Sequence, residues 1–99
     1  DYTFSVAASA SEFGFTPEGS DIATRYRNSG TTCGAGSSDD ADSCWDASST
    51  TDVVIAQRAS SNHTAGTQTS IKFRVGVGVS ASPTVGTYTA TTTLTLVSL

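Results

Sequence analysis

The strongest constraint on the fold is the strict alternation of side chains along residues 69–79. Every second position in this segment is apolar: Ile71, Phe73, Val75, Val77 and Val79. The positions between them carry Lys72 and Arg74, followed by Gly76 and Gly78. A period of two residues is typical of a β-strand with its apolar face toward a core. The two glycines predict that a neighbouring backbone or a bulky ring approaches the opposite face closely.

The same period recurs along the chain, and no segment shows the period of an amphipathic helix. Further short strands are predicted at residues 1–8, 12–16, 21–28, 52–59 and 87–99. Proline and glycine in the turn at residues 80–86 lead us to expect that the two strands flanking it pair, or lie on facing sheets. Six or seven short strands without a helix predict one all-β domain over residues 1–99, a small immunoglobulin-like antiparallel β-sandwich.

Residues 29–51 interrupt this pattern with a long, acidic insertion of small residues that contains both cysteines. Cys33 and Cys44 do not have the C-x-x-C spacing of a zinc site, and two thiols are too few for one. A disulfide between them would close the long loop and stabilise the fold by roughly 3 kcal/mol. The alternative is two free buried thiols in a reducing compartment. We predict the disulfide, and with it a secreted, extracellular or cell-surface location.

Two further features bear on secretion. The chain opens at Asp1 without a methionine or an apolar leader, as expected after removal of a signal peptide, although a trimmed fragment would look the same. Asn62 begins an Asn-x-Thr triplet and is the candidate glycosylation site, with an unmodified loop asparagine as the alternative.

Charge and hydropathy argue against a nucleic-acid partner and against a transmembrane segment. The chain has 5 Lys and Arg against 9 Asp and Glu, for a net charge of -4. A nucleic-acid partner requires a clustered basic surface that neutralises phosphates, which these scattered cations do not provide. No apolar run approaches the roughly 20 residues of a transmembrane helix. We therefore expect no nucleic-acid partner and no transmembrane segment.

The sequence does not favour catalysis. His63, the single histidine, lies in a loop-like stretch at residues 60–66 without a nucleophile-elbow motif. A carboxylate-pair glycosidase needs a cleft that a chain of this length seldom builds. We expect no enzyme activity and no cofactor.

The acidic part of the insertion offers a weak calcium candidate in Asp40, Asp42 and Asp46. The spacing fails the EF-hand template, and a solvated acidic loop is the preferred interpretation, so no metal is expected. Trp45 lies in the same segment, either as part of a core beside the disulfide or as a stacking platform for a sugar. We favour the core position.

The stretch from Pro83 to Leu96 contains a turn with Gly86 and Tyr88, followed by a strand rich in threonine. This ending, preceded by an alternating strand, resembles the closing hairpin of secreted bacterial and archaeal immunoglobulin-like β-sandwich modules. Such modules occur in fimbrial subunits, cell-wall-associated surface proteins and repeat adhesins. The resemblance implies a sandwich fold at a cell surface and carries no catalytic residue.

Two functions fit these expectations. The first is a structural subunit of an extracellular filament, pilus or surface assembly, in which a strand containing Tyr2, Phe4 and Val6 is donated to the next copy. Copies of the chain would then form a head-to-tail homopolymer. The alternative for this segment is pairing within its own domain. The second function is an adhesin or carbohydrate-binding module of a larger surface protein, with residues 29–51 and Trp45 contacting a glycan.

Overall fold

The computed structural model describes residues 1–61 and 64–97 of the chain. Within these residues the regular structure consists of three β-strands and a single turn of 3-10 helix, without an α-helix. Strand β1 spans Ser11–Glu18, β2 spans Asp46–Ala47 and β3 spans Ser70–Val77. The predicted all-β class is confirmed.

The three strands form one antiparallel sheet in the order β2-β1-β3. β1 pairs with β3 along its whole length, from Ser11 opposite Val77 to Glu18 opposite Ser70. β2 is short and pairs with the middle of β1. The strands predicted at residues 12–16 and 69–79 are confirmed, because alternation and β-branched side chains there coincide with a long partner strand.

The strand predicted at residues 21–28 is wrong in its middle, where Thr24–Tyr26 form a 3-10 turn. The turn brings Ile22, Ala23 and Tyr26 into the interior together, and alternating strand positions cannot do this. Arg27 also donates hydrogen bonds to the carbonyls of Ser20 and Ser37, so the chain curls around its guanidinium.

The segment predicted as a strand at residues 52–59 makes a single bridge, between Ala56 and Ile22. Residues 1–8 and 87–97 are not ladder strands either. The described residues thus contain one three-stranded sheet, with β2 supplied by the insertion that the alternation did not cover.

The core lies on the β2 side of the sheet. Its buried members come from the 3-10 turn, the two residues before it and the insertion: Ile22, Ala23, Tyr26 and Cys44. Half-buried side chains surround them: Tyr2, Phe15, Cys33, Val53 and Ile55. The predicted disulfide is confirmed: Cys33 and Cys44 are bonded, with their Cα atoms 5.6 Å apart. It holds the insertion against this core.

The molecule is elongated, with principal extents of 49 × 29 × 21 Å and a radius of gyration of 15.5 Å. A compact domain of this length has a radius of gyration of about 12.6 Å. Residues 82–97 are solvent-exposed and lie outside the sheet, and we call this segment the arm.

Candidate functional site

The first residues of the chain dock on the insertion. The Asp1 ammonium donates a hydrogen bond to the Trp45 carbonyl at 2.6 Å, and the Trp45 amide donates to the Asp1 carbonyl at 2.7 Å. The Cys44 amide donates to the Tyr2 carbonyl at 3.0 Å. Because Cys44 is fixed by the disulfide, it gives residues 1–2 a rigid partner.

Phe4 and Val6 then cross one face of the sheet at positions where β1 and β3 carry glycine. A Cβ atom added at Gly14 would lie 2.7 Å from the Phe4 ring, and one at Gly76 would lie 2.9 Å from it and overlap Val6. Such separations are below van der Waals contact, so side chains at these positions would displace the segment. The close approach predicted at the glycines of β3 is confirmed.

Residues 1–8 therefore pack against their own chain. Tyr2, Phe4 and Val6, which the sequence proposes as a polymerisation strand, are all half-buried there. Their alternation matches the surface beneath them, with small or absent side chains under the larger ones. The arrangement corresponds to the alternative of pairing within one domain.

Trp45 is only 6% exposed. Its ring meets Phe4 edge-on, with ring centroids 5.2 Å apart, and the Arg74 guanidinium lies 5.0 Å from the indole centroid. The indole N–H donates to the Asp42 carbonyl at 2.8 Å, which satisfies the one polar group of the ring. The predicted core position of Trp45 is confirmed, and its faces are occupied by protein.

The three candidate calcium ligands point to different partners. Asp40 accepts a hydrogen bond from the Tyr2 hydroxyl at 3.3 Å, and the Asp42 carboxylate lies 3.2 Å from the Lys72 ammonium. The Asp46 carboxylate lies 2.6 Å from the guanidinium of Arg25. Among residues 1–61 and 64–97, no group of three or more His, Cys, Asp or Glu side chains is placed to hold a metal ion.

Ion pairs fasten the insertion to the sheet. Lys72 lies 2.9 Å from Glu18 and also contacts Asp42, while the Asp42 amide donates to the Glu18 carboxylate at 2.9 Å. That amide, and then Lys72, lower the pKa of Glu18, and the two carboxylates raise the pKa of Lys72. Each charged group here lies beside one of opposite charge. The cluster is therefore better suited to holding the insertion on the sheet than to transferring protons.

A second set of polar contacts joins residues 52–59 to the chain around Asp21. The Arg58 guanidinium lies 3.0 Å from the Asp21 carboxylate, which also accepts a hydrogen bond from the Thr67 hydroxyl. The Thr67 hydroxyl, followed by Arg58, lowers the pKa of Asp21. Both groups favour the ionised carboxylate.

The opposite face of the sheet is open along β3. We define the open face as the side chains of Phe13, Phe73, Val75 and Val77. The two phenyl rings stack with centroids 5.7 Å apart, yet Phe73 is 48%, Val77 55% and Val75 68% exposed. Phe15, on the same face, is instead packed against the core, with its ring centroid 6.2 Å from that of Tyr26.

The expectation that the alternating apolar residues of β3 face a core is therefore wrong for most of the strand. The glycines on the other face let residues 4–8 approach that side, and within the described part of the chain nothing covers the β3 half of the open face. The sequence signal for this inversion is the pair Gly76 and Gly78, which marks the covered face. Alternation alone does not state which face is buried.

The arm retains the predicted alternation, but among the described residues it neither pairs with β3 nor forms part of a facing sheet. Its larger side chains are exposed: Val85, Tyr88, Leu94, Leu96 and Val97. Leu96 is 98% exposed. Among the described residues, no backbone–backbone hydrogen bond involves residues 82–97, and the Tyr88 hydroxyl donates within the arm to the Thr84 carbonyl. The arm is an exposed segment without a ladder partner among the described residues.

The candidate glycosylation site Asn62, together with His63, lies outside the described residues, so the expectations for both stay predictions. No family model matches the chain, and neither the curated proteins nor the solved structures contain a significant match. Within the described ranges, no helix combines the length and apolar character needed to span a membrane. Among the described residues, the surfaces left uncovered include the open face, the arm, the exposed part of the insertion, and the edge of β3 away from β1, which we call the free side of β3.

Proposed function

We propose that this chain is a structural subunit of an extracellular filament, pilus or surface assembly, in which copies join head to tail by β-strand addition. The observation that carries the proposal is the amount of surface left uncovered. The chain exposes 7085 Å², whereas a compact monomer of 10.1 kDa exposes about 5,300 Å². The excess, about 1,800 Å², is close to the total area buried in a standard protein–protein interface.

Much of that excess is apolar and uncharged. The valines and the phenylalanine of β3 are exposed to solvent, as are the leucines of the arm. Monomeric proteins usually keep exposed apolar patches of this kind small. An open sheet edge beside an apolar face also invites a further strand. Both features favour association with another β-rich surface, and a copy of the same chain offers one.

The donated strand that the sequence proposes contains Tyr2, Phe4 and Val6. In an assembly these side chains would leave the sheet of their own subunit and occupy the same position on the next copy, as in domain swapping. The packing formed on the next copy would equal the packing given up, which includes the pairing with Trp45 and the approach to Gly76. Exchange of this segment therefore requires opening of the subunit before joining.

The finer fold belongs to the same proposal. An immunoglobulin-like sandwich of six or seven strands would be completed by strands that neighbouring copies contribute over the open face. The disulfide between Cys33 and Cys44 supports an oxidising, extracellular setting for such an assembly. A glycan on Asn62 would be compatible with that setting. The proposed role is non-catalytic and uses no cofactor.

Sedimentation velocity and negative-stain microscopy of the whole chain, with its disulfide intact, test the proposal. We expect sedimentation coefficients that rise with protein concentration, and linear assemblies on the grid. A monomer of 10.1 kDa at every concentration would contradict the proposal. A closed dimer would contradict the head-to-tail part and leave self-association in place.

The second candidate, an adhesin or carbohydrate-binding module, is favoured by one observation. Much of the insertion, including residues 29–32 and 34–42, is exposed and is held by the disulfide, as in many binding loops. Trp45 is buried, so this loop would have to bind a glycan without the indole platform. A glycan array probed with the oxidised and the reduced chain tests it, and a blank array in the oxidised state would contradict it.

A further inference from the structure

We infer that the open face and the free side of β3 receive residues 87–97 of the arm of a second copy of this chain. The inference rests on the proposed function and names the two surfaces that join. It differs from donation of residues 1–8, because the arm makes no ladder contacts that must first be broken.

The free side of β3 has a full set of hydrogen-bonding groups. β3 has β1 as its one described neighbour in the sheet. The Gly78 amide donates to the Ala10 carbonyl. The N–H and C=O groups of Gly78, and of every second residue before it in β3, therefore point toward β1. Because main-chain groups of an antiparallel strand alternate between its two sides, those of Phe73, Val75 and Val77 point to the free side. An added strand would pair with them.

The side chains of the arm complement this edge. Between residues 88 and 96 its apolar positions are Tyr88, Ala90, Leu94 and Leu96, with Thr92 in the same alternating row. The intervening row is entirely threonine: Thr89, Thr91, Thr93 and Thr95. A strand added in matching register places the first row over the open face and the threonines beside Lys72 and Arg74. Shifting the register by a single residue would reverse the two rows.

Charge does not oppose this contact. Residues 82–97 contain no Asp, Glu, Lys, Arg or His, and the open face is also uncharged. Neither surface therefore has to strip water from an ion on association. The apolar area that both surfaces expose would be buried by the same event.

The path of the chain favours binding of the arm to the open face of a second copy rather than to the open face of the same chain. The Ser80 amide donates to the Ala8 carbonyl at 2.7 Å, which fixes the chain on the β1 side of β3. From Ala81 the arm continues as an exposed segment and does not return along β3. Joining an arm on one copy to a face on the next uses two different surfaces, so it leaves one of each free and growth continues.

Two charged variants and one matched control test the inference. The arm variant is Leu94→Asp with Leu96→Asp, and the face variant is Val75→Asp with Val77→Asp. The control is Thr93→Asp with Thr95→Asp, which puts the same charges on the other row of the arm. All six side chains are exposed, so the subunit fold is expected to survive in each variant.

Each variant is studied alone and in an equimolar mixture by sedimentation velocity. We expect the arm and face variants to associate at least a hundredfold more weakly than the unmodified chain, and the control to remain within about tenfold of it. In the mixture we expect a heterodimer that stops growing. The face variant still supplies an arm, and the arm variant still supplies a face.

The outcomes separate this inference from the proposed function. Assembly that persists in the arm variant overturns the inference and leaves the proposed function standing. A mixture that stays monomeric also overturns it. An unmodified chain that is a compact monomer with a radius of gyration of about 12.6 Å means that the arm folds onto its own face, which removes both proposals. Should an aspartate variant fail to fold, Val75→Thr with Val77→Thr and Leu94→Thr with Leu96→Thr repeat the test without charge.

Discussion

Residues 1–8 and the arm have the same alternation of apolar and polar side chains but end in different surroundings. Phe4 and Val6 lie half-buried over glycines of the sheet, whereas Leu94 and Leu96 lie in solvent. Neither segment is a ladder strand. An alternating sequence therefore specifies an amphipathic strand, and the surface that receives it must be specified elsewhere in the chain.

For residues 1–8 that surface is supplied in two parts. The glycines of β1 and β3 leave room for the side chains, and the disulfide-held pair Cys44 and Trp45 offers main-chain partners. The arm has no such surface among the described residues. The two segments therefore differ in whether the chain offers them a complementary surface, and not in strand propensity. Removing the surface that receives residues 1–8 tests this.

The largest expected effect is loss of the disulfide. Replacing Cys33→Ser and Cys44→Ser should lower the free energy of unfolding by about 3 kcal/mol, because the unfolded chain is no longer cross-linked. Residues 44–45 should also lose their fixed position and release residues 1–2. Urea unfolding measures the first effect, and chymotryptic cleavage after Phe4 measures the second. Cleavage at Phe4 that stays much slower than cleavage at Tyr88 in the arm would contradict the proposed role of the insertion.

A smaller effect is expected when the receiving surface is filled. Gly76→Val places a side chain where Val6 and Phe4 now lie and should cost about 2 kcal/mol through overpacking. Gly86→Val adds the same side chain in the arm, where a Cβ would meet nothing within 4 Å. Thermal unfolding of the two variants gives the comparison. Equal melting temperatures would show that residues 1–8 are not held over the glycines in solution.

Tyr26 gives an effect that depends on pH. Burial, and then the nearby Asp46 carboxylate, raise the pKa of Tyr26 to about 12. Because this is above the unfolded value near 10, its stabilising contribution is complete below pH 10 and is lost as the pH rises from 10 toward 12. Tyr26→Phe should remove that loss, and cost about 1 kcal/mol at neutral pH because the hydrogen bond to Asp46 is deleted.

The measurement is urea unfolding of the unmodified chain and the variant at several alkaline pH values. Tyr88→Phe is the matched control, since its hydroxyl donates within the exposed arm. An alkaline loss of stability that persists in Tyr26→Phe would assign it to another group. A similar loss removed by Tyr88→Phe would place a buried phenol in the arm.

The smallest effect is expected on the arm itself. Leu94→Ala should change the free energy of unfolding of the dilute monomer by less than about 0.5 kcal/mol, because the side chain is 67% exposed. Phe4→Ala, on the docked segment, should cost several times more. Chemical denaturation at low protein concentration compares them. A cost for Leu94→Ala as large as that for Phe4→Ala would mean that the arm packs in the monomer.

Sequence alone could predict the features that depend on local pattern. The long strands containing Phe13 and Phe73, the Cys33–Cys44 bond and the close approach at Gly76 all follow from alternation, composition or spacing. The 3-10 turn ending at Tyr26 could not be predicted, because it forms to bury three side chains against residues distant in sequence. Alternation could not predict the exposure of Val75 either, since burial depends on which face another segment covers, and only the glycines at 76 and 78 indicate that face in the sequence.

The absence of Lys and Arg from the arm has a further consequence, for its resistance to proteolysis. Trypsin-class proteases hold a Lys or Arg side chain in their specificity pocket before they cleave. The last such residue in the sequence is Arg74, in β3. Exposure therefore does not make the arm a substrate for these enzymes, and it can remain accessible without being cut by them.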